Sequence, residues 1–173
     1  MGRGFMERQE EGIALPIIAV LGPGDASFEE IRVAERVGGA AAHAGWVVLT
    51  GGGPGVMAAA SRGAVEAGGL TVGILPTSGP TADYPNRWVV VPVYTGSGSA
   101  RNQFNVLSAD LCLAIGGGAG TLSEIGLALK AGKEVWCLNS WLLEPPTGTA
   151  PKMPTVFESA EGLLAELTVR LSG

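Results

Sequence analysis

Histidine and cysteine are almost missing from this chain: His43 stands alone, and Cys112 and Cys137 both lie inside apolar runs. A set of soft metal ligands cannot be assembled from that inventory, so no metal site is expected and the thiols are expected to be buried and reduced. Such sparse cysteine suits a reducing cytoplasm, the compartment expected here. Charge is scarce too, at 16% of residues with a net −5. No cluster of Lys and Arg occurs, which excludes the basic stripe that a nucleic-acid surface needs. Long apolar runs are also absent. The run after Leu15 breaks at Gly22-Pro23-Gly24, well short of the roughly 20 residues of a membrane helix. Arg3 and Arg8 are interleaved with Glu7, Glu10 and Glu11, which is not the basic head of a signal peptide. A soluble protein that engages neither membrane nor nucleic acid is expected.

What the chain has in quantity is glycine, 28 of 173 residues, in a background that is 46% hydrophobic. The glycines follow no period and form no low-complexity tract, so they read as turns between many short elements. The apolar content implies a sheet buried on both faces, a subunit interface, or both. Residues 1–14 are expected to be a flexible N-terminal segment and 15–173 one domain.

Short apolar runs at 17–21, 46–50, 70–75, 88–91, 111–115 and 134–138 predict strands. Ser27-Phe28-Glu29-Glu30 predicts a capping box opening a helix that runs to His43, which favours the negative dipole end there. Helices are further predicted from the glycines after Thr50 to Ala67, over 97–108, over 121–131, and over 157–171 after a Pro/Gly-rich connection at 144–154. The alternation implies right-handed βαβ units and an α/β, Rossmann-like, doubly wound parallel sheet with helices on both faces. With an assumed strand order of 3-2-1-4-5-6, the second and fifth strands would stand roughly 14 Å apart at about 4.8 Å per strand.

Glycine turns follow the first, second and fifth strands, which places all three on the carboxyl edge, where open α/β sheets bind ligands. Gly22 and Gly24 would admit a ligand near the first strand. Gly51, Gly52, Gly53 and Gly55 would form one anion cradle, and Gly117, Gly118, Gly120 and Thr121 another, because glycines permit close approach and helix N-termini offer free N–H groups. NAD or FAD is not expected: the first turn lacks a third glycine, with Ser27 near its place, and no acidic residue ends the second strand. No glycine precedes Lys-Ser or Lys-Thr, so no Walker loop is present.

Two charged residues stand out beside the glycines. Arg101 falls in or near the first turn of a predicted helix, where the dipole disfavours a cation by roughly 0.3–1 kcal/mol and a bound phosphate or carboxylate would compensate. Ser97 and Ser99 precede it as caps or ligand contacts. Glu124 has two readings, as the closing member of a capping box Thr121-Leu122-Ser123-Glu124 or as a general base at the glycine-lined site.

The ordered segments TGGGPGVM, GSGSARN and IGGGAGTLSE, between about Ile17 and Leu138, resemble the LOG-like group of Rossmann proteins, often mislabelled lysine decarboxylases. Within it, TGSGSARNQFNVLSADLCLAIG followed by GTLSEIGLALKAGKEV is most similar to the molybdenum cofactor carrier branch. The resemblance implies a phosphorylated heterocyclic ligand at the carboxyl edge: carried molybdenum cofactor in the carrier branch, or a nucleoside 5′-monophosphate in the hydrolase branch. In the latter, Arg101 and Glu124 match the residues that cleave the N-glycosidic bond. That branch has proline where this chain has Gly116 and lysine where it has Asn102, departures that favour binding over turnover. A nucleotide sensor is the remaining alternative. A homodimer or homotetramer, and a molybdoenzyme that receives the cofactor, are implied as partners.

Overall fold

The computed structural model describes residues 14–147 and 152–172; the expected flexible segment at 1–14 lies almost wholly outside the described residues. Five apolar residues, Ile17–Leu21, form β1. Ser27 then caps helix α1, Phe28–His43, through the reciprocal bonds expected of its capping box, and His43 occupies the last turn. There follow β2 (Val47–Thr50), α2 (Val56–Glu66), β3 (Thr71–Leu75), β4 (Val91–Tyr94), a 3₁₀ turn (Gly98–Arg101), α3 (Asn102–Ser108), β5 (Leu111–Ile115), α4 (Ala119–Lys130), β6 (Glu134–Leu138), β7 (Thr155–Phe157) and α5 (Ala160–Ser172).

All seven strands are parallel, in the order β4-β3-β2-β1-β5-β6-β7. The 3-2-1-4-5-6 order is therefore corrected: β5, not β4, lies beside β1, and β4 sits at the sheet edge beyond β3. Pro92 explains the exchange, since it has no N–H to give to a second neighbour and strand prolines are confined to edges. The predicted fourth strand also shifts, from 88–91 to Val91–Tyr94. With β1 alone between them, β2 and β5 stand two spacings apart, about 10 Å rather than 14 Å.

The strands alternate their side chains between two apolar layers. Ile18, Val20, Val48, Leu111, Leu113 and Ile115 pack with residues of α1, α2 and α5. Ala19, Leu21, Leu49, Cys112 and Ala114 pack with Val106 of α3 and Ile125 and Ala128 of α4. The helices change face because the chain winds outward from β1 through β2 and then outward from β5 through β6 in the opposite direction, with each right-handed crossover placing its helix accordingly. The switch between the two directions falls between β1 and β5, where open α/β sheets leave a crevice beyond the strand ends.

The helix expected over 97–108 is split into the 3₁₀ turn and α3. The closing helix starts at Ala160 rather than Phe157, because Thr155–Phe157 pairs with β6 as an unforeseen seventh strand.

Candidate functional site

At the switch point lies a cleft of about 300 Å³ lined by Gly22, Pro23, Gly24, Met57, Arg101, Asn102, Gly118, Gly120, Thr121 and Glu124. Its floor comes from the turn after β1 and its walls from α2, the 3₁₀ turn and α4. Neither α2, whose N-cap is Gly55, nor α4, whose N-cap is Gly118, receives a side-chain cap. α4 therefore begins with orphan N–H groups, while the first N–H of α2, Val56 N, is taken by the Pro23 carbonyl; both helices still turn a positive dipole end to this edge, which favours an anion.

Arg101 is the cation lining this cleft, and only 9% of it is exposed. Its Nη1 lies 3.5 Å from Oε1 of Glu124, and its Nε is buried with no hydrogen-bond partner. A guanidinium has five N–H donors in a fixed fork, so most of this one remains unused by the protein. Asn105, fully buried on α3, donates from Nδ2 to the same Glu124 oxygen at 2.7 Å. Burial raises the Glu124 carboxyl above its ordinary range, opposed by the Asn105 hydrogen bond and the Arg101 charge. The capping-box reading of Glu124 is corrected: α4 starts two residues earlier than predicted, at Ala119, and the carboxylate turns inward to Asn105 and Arg101.

The other glycines occupy distinct places. Gly51 makes room for arginine, since a Cβ there would fall on the Arg101 guanidinium. Gly52, at φ +72°, packs on Leu75, and its carbonyl accepts from Asn86 N. Gly53 packs on Met57 and Tyr84 and accepts from Asn86 Nδ2 at 2.9 Å. Gly55, at φ +64°, rests on the Pro23 and Gly24 carbonyls, and Val56 N donates to Pro23 O at 3.1 Å. The second glycine loop thus fastens α2 to the first, while Gly22, Gly24, Gly118 and Gly120 face the cleft. Gly117 lies beneath Trp141 and Ser140, and Ser99 is exposed on the 3₁₀ turn. Neither is among the lining residues. Sequence reading missed Met57, Asn102 and Asn105; a polar Asn at 105 on the apolar side of a short helix was the available signal for the last.

Gly116 holds φ +65° next to the Glu30 carboxylate. Proline is locked near φ −65°, so the loop that begins here has a backbone path that a Pro-Gly-Gly start cannot follow.

A second cavity, about 230 Å³, opens at the amino edge among Leu15, Trp46, Val47 and Leu70, and none of its lining residues is ionisable. Among the described residues no group of three or more His, Cys, Asp or Glu side chains comes together, and no helix is long and apolar enough to cross a membrane.

The family model described as SLOG cluster4 matches residues 15–166. The chain belongs to this family. Among solved structures, members of its fold include the molybdenum cofactor binding protein of Rippkaea orientalis, 36% identical over 91% of this chain and 98% of that one, with a TM-score of 0.76. The molybdenum cofactor carrier protein of Chlamydomonas reinhardtii is 35% identical over 92% of this chain and 100% of its own, with a TM-score of 0.75. An uncharacterised protein of Archaeoglobus fulgidus is 44% identical over 118 residues, 68% of this chain and 76% of that protein. This SLOG cluster4 chain therefore shares its Rossmann-like α/β fold with a binding protein and a carrier protein of the molybdenum cofactor.

Proposed function

We propose that this chain binds the molybdenum cofactor in the cleft between β1 and β5 and carries it, without transforming it, to a molybdoenzyme. The observation that carries the reading is the buried, under-used guanidinium of Arg101 between two uncapped helix N-termini. A phosphate there would take up the idle donors as a charge-assisted, bidentate contact. Gly118, Gly120 and Thr121 would present backbone N–H groups to the phosphate, Gly22 and Gly24 would let it approach the β1 turn, and Asn102 would add a side-chain amide. The two structural neighbours, a binding protein and a carrier protein of the molybdenum cofactor, support the pterin as the remainder of the ligand. Removing the arginine while neutralising its partner, in the double variant Arg101→Ala, Glu124→Gln, leaves no buried charge unpaired. That variant is expected to lose roughly ten- to hundredfold in affinity for the cofactor with a far smaller loss in stability; undiminished affinity would contradict the proposal.

A second reading, cleavage of nucleoside 5′-monophosphates, is favoured by one observation: Glu124 retains its proton more strongly than an ordinary glutamate, as a general acid must. The Gly116 backbone is the observation against it. Incubation with AMP decides by release of free adenine. Carriage predicts none, whereas hydrolysis predicts release that disappears on Glu124→Gln. Tight nucleotide binding with no release would instead indicate a sensor.

A further inference from the structure

We infer that Trp141 is the stacking platform for the flat heterocycle of the ligand whose phosphate is held at the Arg101 cleft. The inference rests on the phosphate reading above and adds to it the residue that recognises the ring. Trp46 and Trp136 are buried in the core, but Trp141 is 41% exposed. Its exposure is not slack: Nε1 donates to the carbonyl of Gly118 at 3.1 Å, and Gly118 both lines the cleft and caps α4. The ring also lies on Gly117, where a Cβ would stand 3.0 Å from Cδ1 and 3.1 Å from Nε1. A side chain at 117 would therefore push the indole away.

The turn that delivers Trp141 is itself unusual. Asn139, directly after β6, is the one non-glycine residue at positive φ among the described residues, 49°, a left-handed conformation that asparagine adopts more readily than most residues. The next residue, Ser140, carries a buried hydroxyl with no hydrogen-bond partner, 3.2 Å from the place a Gly117 Cβ would occupy. A left-handed turn, an unpaired hydroxyl and a pinned, half-open indole thus converge on the glycine loop that borders the anion site. The aromatic face beside a phosphate cradle suits a planar, hydrogen-bonding heterocycle such as a pterin or a purine, because π-faces stack with little regard to ring identity.

The test measures binding of three probes, ribose 5-phosphate, AMP and the molybdenum cofactor, to the full chain and to its Trp141→Ala and Trp141→Phe variants. In the wild type a ring-bearing probe is expected to bind at least tenfold more tightly than ribose 5-phosphate. Trp141→Ala should erase that preference, about a tenfold loss for the ring-bearing probe, while leaving ribose 5-phosphate affinity within twofold. Trp141→Phe, which loses the Gly118 bond but keeps a ring, should restore most of the preference. Equal preference in wild type and Trp141→Ala overturns the inference, as does an equal loss for all probes, which would mark Trp141 as a support of the loop only. Failure of the wild type to bind any of the three overturns the phosphate reading itself, a distinct result.

Discussion

Arg101 and Glu124 stood out in the sequence for their neighbours, an arginine among Gly and Ser and a carboxylate four residues beyond the glycine run. Their partnership could not be read there, because Asn105 and Glu124 are 19 positions apart and meet only when α3 and α4 lie side by side. That meeting changes the chemistry. A capping carboxylate would be solvated and ionised; a carboxylate buried between an amide and a guanidinium holds its proton more strongly and leaves the arginine with spare donors. The two thiols make a cleaner test of residue-scale burial. Desolvation pushes Cys112 up to about 12 and Cys137 up to about 11, from 9.0. Neither should react with Ellman's reagent at pH 8 until denaturant unfolds the chain. The folded state keeps these protons where the unfolded chain loses them, so their contribution to stability is intact below pH 9.0 and falls as pH rises toward about 12. Urea melts at pH 8, 9 and 10 should show the midpoint declining above 9, and Cys112→Ala should flatten the decline.

Among the elements, strands and helices with strong periodicity were legible to within a residue or two: β1, β5 and β6 end where their apolar runs end. Four elements were not: β4 and α5 each begin three residues later than predicted, and β7 and the 3₁₀ turn were not foreseen. β7 is three residues long after Pro154, too short to show a period, and it exists because β6 offers an open edge. The 3₁₀ turn before α3 reflects local geometry at Gly98, φ +56°, which spacing does not reveal. Other glycines, never assigned to the ligand, serve packing between helices. Gly38 of α1 and Gly63 of α2 let the helices touch backbone to backbone, since a Cβ at either would run into the carbonyl of Ala60 or Glu35. Gly38→Ala should therefore cost roughly 1–3 kcal/mol by overpacking, measured by urea unfolding, with ligand affinity unchanged because the contact is remote from the cleft. An equal loss of affinity would show that α2 and the cleft are coupled.

For the whole molecule, the fold class followed from the βαβ rhythm, but the strand order did not, because rhythm says nothing about which side of β1 receives the next strand. Pro92 held the missing information: it sends β4 to the edge and brings β5 against β1, narrowing the crevice to two strand spacings. The α3 and α4 face of the sheet is also less covered than the other. Phe104 and Leu107 on α3 and Val91 and Val93 on β4 are exposed, which supports the proposal of a homodimer or homotetramer through this face. Light scattering is expected to give a multiple of the 17.5 kDa chain, and Phe104→Glu, Leu107→Glu to shift it toward that mass; a wild-type monomer would remove the proposal. One arginine, buried and mostly unspent at the switch point, is proposed to hold a phosphorylated cofactor. Titration of the molybdenum cofactor into the wild type and into Arg101→Ala, Glu124→Gln tests it most directly. Saturable binding by the wild type is expected, falling at least tenfold in the double variant; equal binding by the two proteins would show that Arg101 does not hold the phosphate.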